Sequence, residues 1–269
     1  MTEKTKKPAQ PVSKPFLTGA PRDERTVKEA LGFFGVVLLS IFMCFIICSM
    51  LSFESPILRI GMNALVVGIV LLLFFNNASG RGAEGVARGE ILLQRQQKGL
   101  TFSESERALC YHPAKGFLVG LLGTLPLLIL ALLLAFTATR QTTGVGVLPS
   151  WLSVYQRRSE VGDALVAYTA QSGLGFAEIL RLAVRIMIMP FVAMVGAENR
   201  DGLLLIERLS PLLVLLPAIC YGFGYLQGRT IRTRVHTEIA TANRKRARRE
   251  KKARLARRNR APKGPEQLN

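Results

Sequence analysis

Apolar residues along this chain come in long blocks, and polar residues stand between the blocks rather than alternating with them. Leu31 to Phe53 is apolar or small apart from Ser40, Ser49 and Ser52. Ile57 to Phe75 admits only Arg59 and Asn63, and Phe117 to Ala138 and Leu209 to Tyr225 are equally clear runs. A run of about twenty residues, rising about 1.5 Å each, crosses the roughly 30 Å hydrocarbon layer of a bilayer. Lipid offers no water to satisfy peptide groups, so these runs are expected as helices. Between the first two stands Glu54-Ser55-Pro56. Pro56 cannot donate to a helical ladder but fits a first turn, which predicts an antiparallel helical hairpin. The polar lead, the length of the first run and the missing small-residue cleavage site predict that this first span stays attached.

The stretch from Phe176 to Ala197 follows a different pattern. Its uncharged part, Ile186 to Ala197, is only twelve residues, and Glu178, Arg181 and Arg185 fall at i, i+3 and i+7 on one helical face. An interfacial or re-entrant helix is expected, with a tilted full span and snorkelling arginines as the alternative. Charge bears on the choice: of 36 Lys and Arg, seven lie in residues 1–30, six in 76–116 and fifteen in 228–269. Four spans place all three segments on one side, whereas five would force the tail opposite the lead, against the excess of Lys and Arg in cytoplasmic loops. The expected fold is therefore all-α: a polytopic membrane helical bundle of four transmembrane helices plus one interfacial or re-entrant helix, five spans being the alternative, with both termini cytoplasmic.

The expected organisation is a basic polar cytosolic lead (1–30), a transmembrane helical hairpin (31–75), a cytosolic helical insert (76–116), two transmembrane helices with an outer amphipathic segment (117–227) and a polybasic cytosolic tail (228–269). In the insert, one helix from about Ala83 to Lys98 stops at Gly99, and a second opens with the capping box Ser103 to Glu106 and ends before Pro113. Gly80-Arg81-Gly82-Ala83-Glu84-Gly85 matches G-x-G-x-x-G, but no strand precedes it, so it is expected as a juxtamembrane turn and not a nucleotide loop. Trp151 and Tyr155 suit an interfacial anchor. Pro126, Pro211 and Pro217 are expected to kink spans, and Gly116-x-x-x-Gly120 and Gly224-x-x-x-Gly228 to let helices approach closely. In the tail, Ile231, Val235 and Ile239 at i, i+4 and i+8 predict a packed helix, while Asn243 to Arg260 has good helix formers but no apolar face and is expected as a solvated helix or disordered.

Composition adds a net charge of +18, which disfavours basic partners and favours anionic lipid head groups, RNA or acidic protein surfaces. Cys44, Cys48, Cys110 and Cys220 have no evident pairing and are expected as free thiols. The two histidines, His112 and His236, assemble neither a hydrolytic triad nor H-E-x-x-H, and Cys110-x-His112 lacks two further metal ligands. No catalytic residue, metal or cofactor is expected, and no enzyme.

Two candidate sites remain. Arg59 and Asn63, one turn apart with Glu54 just outside, together with Glu178, Arg181 and Arg185, are candidates to line a polar cavity for an anion or zwitterion. The plainer expectation has Arg59 snorkelling beside Glu54 and the trio at the interface. The second site is the tail, through Arg244, Lys245, Arg246, Arg248 and Arg249, and then Lys251, Lys252, Arg254, Arg257 and Arg258. Three or four charges suffice to orient a helix, so fifteen point to an anionic partner, with each Lys or Arg near an acidic leaflet contributing about 1 kcal/mol. In outline, a set of spans with a basic cytosolic tail resembles the Oxa-type membrane insertases, whose tail meets ribosomes. Those proteins differ in placing the N-terminus outside and an arginine in the first span, so no residue role carries over. The expected function is a non-enzymatic accessory or assembly factor of the cell membrane, a bacterial inner membrane being the expected setting. Anionic lipid, a protein complex, ribosomal RNA and a second copy of the chain are the expected partners. A small transporter or permease subunit built around Arg59, Asn63, Arg181 and Arg185 is the alternative.

Overall fold

The structure, a computed structural model, describes residues 13–50, 53, 55–138, 175–196 and 199–260. Every regular element among the described residues is helical: α1 (Glu24–Met50), α2 (Pro56–Gln97), α3 (Glu104–Ala108), α4 (Lys115–Thr137), α5 (Phe176–Met187), α6 (Met189–Val195) and α7 (Arg200–Arg260). Four of them, α1, α2, α4 and α7, are long and apolar enough to cross a membrane. Their large apolar side chains face outward, as with Leu39 at 61% and Phe42 at 59% exposure. Exposed apolar surface of that extent is costly in water and natural in lipid, which suits a membrane protein. Glu54 and the Trp151 and Tyr155 pair lie outside the described residues.

The described residues form two compact units, and two of the four boundaries between them fall inside α2 and α7. Among the described residues the apolar unit comprises 21–50, 53, 55–78, 113–138, 175–196 and 199–225. At its centre Phe33 of α1 meets Phe74 of α2 edge-on at 5.5 Å and Tyr221 of α7 at 4.6 Å. Helix α4 joins through small residues: a Cβ on Gly123 would reach 2.7 Å from the Ala30 carbonyl, and one on Gly120 would reach 2.9 Å from that of Ala218. Helix α4 runs through Pro126, and α7 through Pro211 and Pro217, without interruption. Pro211 removes the N–H that would bond the Glu207 carbonyl, and the neighbouring Ser210 hydroxyl donates to that carbonyl instead at 2.7 Å. The Phe176 to Ala197 stretch is two helices of 12 and 7 residues, α5 and α6, broken at the buried Ile188. Pro190 sits in the first turn of α6, where no N–H is needed.

The polar unit comprises 13–20, 79–112 and 226–260 among the described residues. Here one expectation is corrected. The Gly80 to Gly85 segment is no turn but part of the unbroken α2, which runs from Pro56 to Gln97 with no new start at Ala83. Three of its glycines explain why: Gly82, Gly85 and Gly89 fall on one face at i, i+3 and i+7. Gly82 and Ala83 receive Gly228 of α7, where any Cβ would collide with their backbone. The Gly85 carbonyl accepts the Tyr111 N–H at 3.1 Å, and the Gly89 carbonyl accepts that of Leu17 at 3.1 Å. Packing thus outweighs the roughly 1 kcal/mol of helix propensity each glycine gives up.

Helix α2 ends as expected at Gly99, whose φ of 75° suits glycine, with Leu100 N–H on the Arg95 carbonyl and Gly99 N–H on that of Gln96. The capping box is formed in both directions, Ser103 accepting from the Glu106 N–H at 3.3 Å and Glu106 from the Ser103 N–H at 3.1 Å. Helix α3 is short and ends at Ala108, before Pro113. Cys110 follows, fully buried. Helix α7 begins at Arg200, nine residues before the apolar run, under the side chain of Asn199, which accepts the Gly202 N–H at 2.9 Å. It continues to Arg260, so the tail to that point is helical.

Candidate functional site

The apolar unit buries a charged cluster. Arg181 and Arg185 stand one turn apart on α5, and Glu207 of α7 receives both: Arg181 Nε donates to Oε2 at 3.2 Å and Arg185 Nε to Oε1 at 2.8 Å. Glu207 is 2% exposed. One carboxylate bridges two cations, and the cluster is tolerable in a low dielectric because its charges are hydrogen-bonded. Ser210, which mends the Pro211 gap beside Glu207, also reaches the Ala131 carbonyl of α4 at 3.3 Å. Sequence reasoning missed Glu207 because the apolar run opens only at Leu209. The available signal was the pair of arginines at i and i+4, which need a counter-ion at that depth.

Arg59 and Asn63 sit elsewhere in the same unit. Arg59 Nη2 donates to the Val195 carbonyl at 3.4 Å, and its guanidinium lies on Gly196, where a Cβ would come within 2.8 Å of it. A cation at the C-terminal end of α6 complements the helix dipole. Asn63 is fully buried; its Nδ2 donates to the Arg59 carbonyl at 2.8 Å and its Oδ1 has no partner. Arg59 Nε and Glu178 Oε2 are likewise buried without partners. Among the described residues no hydrogen bond joins Arg59 or Asn63 to Glu178, Arg181 or Arg185. A cavity of about 70 Å³ in this unit is lined by apolar residues such as Val37, Cys44, Ile188 and Pro217, and none of the five candidates borders it.

The polar unit holds a second charged cluster. Glu90 of α2, 6% exposed, accepts from Arg232 Nε at 3.2 Å and Nη2 at 2.8 Å through Oε2, and meets His236 Nε2 at 2.7 Å through Oε1. Burial alone would push this carboxyl up, but the hydrogen bonds and charges of Arg232 and His236 outweigh it and hold it below the ordinary value of 4.5. Burial pushes the nearby Tyr111 phenol up. Phe16 packs edge-on against Tyr111 at 5.9 Å, and the Arg229 guanidinium lies 5.8 Å from the Phe16 ring centre.

The tail candidates share one helix. Arg244, Lys245, Arg246, Arg248, Arg249, Lys251, Lys252 and Arg254 are all exposed. Among the described residues only Arg246 of these has a carboxylate, Glu250 at 3.2 Å one turn on. Arg257 and Arg258 lie on the same helix.

In comparison with protein families, curated proteins and solved structures, the chain matches none. The functional reading therefore rests on its own residues.

Proposed function

We propose that the chain is a non-enzymatic integral membrane protein that docks an anionic macromolecule through its basic tail, as an accessory or assembly factor does. In this reading it crosses the membrane four times, with both ends on the cytoplasmic side and α5 and α6 re-entrant or interfacial. Neither α5 nor α6 is long enough to cross alone at about 1.5 Å per residue. Supporting the docking function is the helix from Asn243 to Arg254, exposed throughout, with its cations uncompensated among the described residues apart from one i,i+4 pair. Ordered, unpaired cations around a helix cost self-repulsion, which a polyanion relieves. Arg244 stands eighteen residues beyond Leu226, about 27 Å along the helix. That distance exceeds the Debye length of about 8 Å, so a straight helix carries these charges past the field of a leaflet. RNA or a comparably acidic surface is the favoured partner.

The test uses the full-length protein in nanodiscs of zwitterionic lipid. Binding to ribosomes or structured RNA at about 50 mM salt should weaken steeply at about 200 mM. Replacing Arg248, Arg249, Lys251 and Lys252 with Gln should lower the salt slope. Absence of binding at the lower salt refutes the reading. A reporter fused after Asn269 should be active on the cytoplasmic side.

A second reading, a small transporter or permease subunit, draws on three buried polar atoms without partners, Arg59 Nε, Asn63 Oδ1 and Glu178 Oε2. Unsatisfied groups at such depth are costly and fit a polar solute or water that completes them. Arg59→Gln should then alter a solute flux.

A further inference from the structure

We infer that the polar unit carries a binding site for a phosphate monoester, separate from the tail, in the cavity between residues 13–16, α2 and α7. The cavity measures about 390 Å³ and is bordered by Lys14, Phe16, Glu90, Arg229, Arg232 and His236. Its floor is a hydrogen-bonded cluster of Glu90, Arg232 and His236. Glu90 spends both oxygens on Arg232 and His236, so its charge is compensated and its acceptors are occupied. Arg232 in turn spends Nε and Nη2 on Glu90, and its Nη1 has no partner among the described residues.

The rim supplies what a ligand would meet. Lys14 and Arg229 have no carboxylate among the described residues, and the Phe16 ring braces the Arg229 guanidinium. Set against the single carboxylate of Glu90, Lys14, Arg229 and Arg232 leave two positive charges in excess around one opening. A phosphate monoester is close to doubly negative near neutral pH and offers three strong acceptor oxygens, matching both the charge and the three donors of Lys14 Nζ, Arg229 and Arg232 Nη1. A phosphodiester, with one negative charge, leaves the rim half compensated. Two sources present the same chemistry: a lipid with a monoester head group, and free phosphate. Arg229 and Arg232 stand four and seven residues after Tyr225, the end of the apolar run, a rise of about 6 to 10 Å that suits head-group depth.

The experiment compares the full-length protein with Lys14→Gln/Arg229→Gln, which leaves Glu90, Arg232 and His236 in place, and with Arg248→Gln/Arg249→Gln/Lys251→Gln in the tail. One arm titrates inorganic phosphate. The other counts phosphatidic acid retained in nanodiscs against phosphatidylglycerol, a diester. Thermal unfolding without ligand shows that each variant is folded, and Lys14→Gln alone serves if the double variant is not. The expected result is at least tenfold weaker binding of the monoester probe by the rim variant and unchanged binding by the tail variant. Retention of phosphatidic acid with no response to inorganic phosphate assigns the site to lipid; competition by inorganic phosphate assigns it to a soluble ligand. Equal binding by wild type and rim variant, no binding of either probe by wild type, or equal retention of the diester overturns the inference. Loss of binding in the tail variant alone would instead trace the signal to the tail and leave only the docking function standing.

Discussion

Glu207 sits at a point where one carboxylate holds two arginines of another helix, and removing its charge is expected to cost more than the bonds themselves. Glu207→Gln removes the charge that Arg181 and Arg185 share, a change of about 3 to 5 kcal/mol, to be read as a lowered unfolding temperature in detergent or nanodiscs. Glu90 makes a different prediction because its folded carboxyl titrates below its ordinary 4.5. The unfolded chain then takes up the proton first as pH falls. The contribution of Glu90 is complete above about 4.5 and is lost as pH drops through the lower folded value. Acid unfolding of wild type should therefore steepen below pH 4.5, and Glu90→Gln should flatten that segment of the profile. Neither residue was evident in the sequence as a site. Glu90 and His236 are far apart along the chain, and Glu207 lies outside its hydropathy run, so only tertiary packing names their partners.

Among the elements, the long apolar runs and the local punctuation were legible. Pro56, Gly99 and the Ser103 to Glu106 box act within a few residues, through a missing N–H, a left-handed backbone and a reciprocal cap. The Gly80 to Gly85 segment was misread because glycine has two uses, freedom of the backbone and absence of a side chain, and local sequence does not tell which applies. The structure separates them. Gly80 has nothing near the position of a Cβ, whereas Gly228 has the α2 backbone there. Gly80→Ala should be neutral or stabilise by up to about 1 kcal/mol through helix propensity, while Gly228→Ala should destabilise by about 1 to 3 kcal/mol through overpacking. Thermal unfolding of the two variants checks the pair, and a reversed order would refute the packing assignment.

At the scale of the molecule, the apolar unit exposes Leu and Phe outward and pairs Arg181 and Arg185 with Glu207, and the polar unit exposes most of its cations and carries a cavity bordered by Lys14, Arg229 and Arg232. Block hydropathy and basic excess are summed properties that need no partner information, so both are legible in composition. The charged clusters are not legible there, because they depend on which faces of α5 and α2 meet α7. One further consequence follows from the sulfur of Cys110, sealed at 0% exposure beside the short helix α3. A thiol in that position reacts with a water-soluble maleimide only when its surroundings part, so its modification rate is a stopwatch for transient opening of that unit. With Cys44, Cys48 and Cys220 replaced by alanine, saturating inorganic phosphate should slow the stopwatch if the cation-ringed cavity clamps the same unit shut.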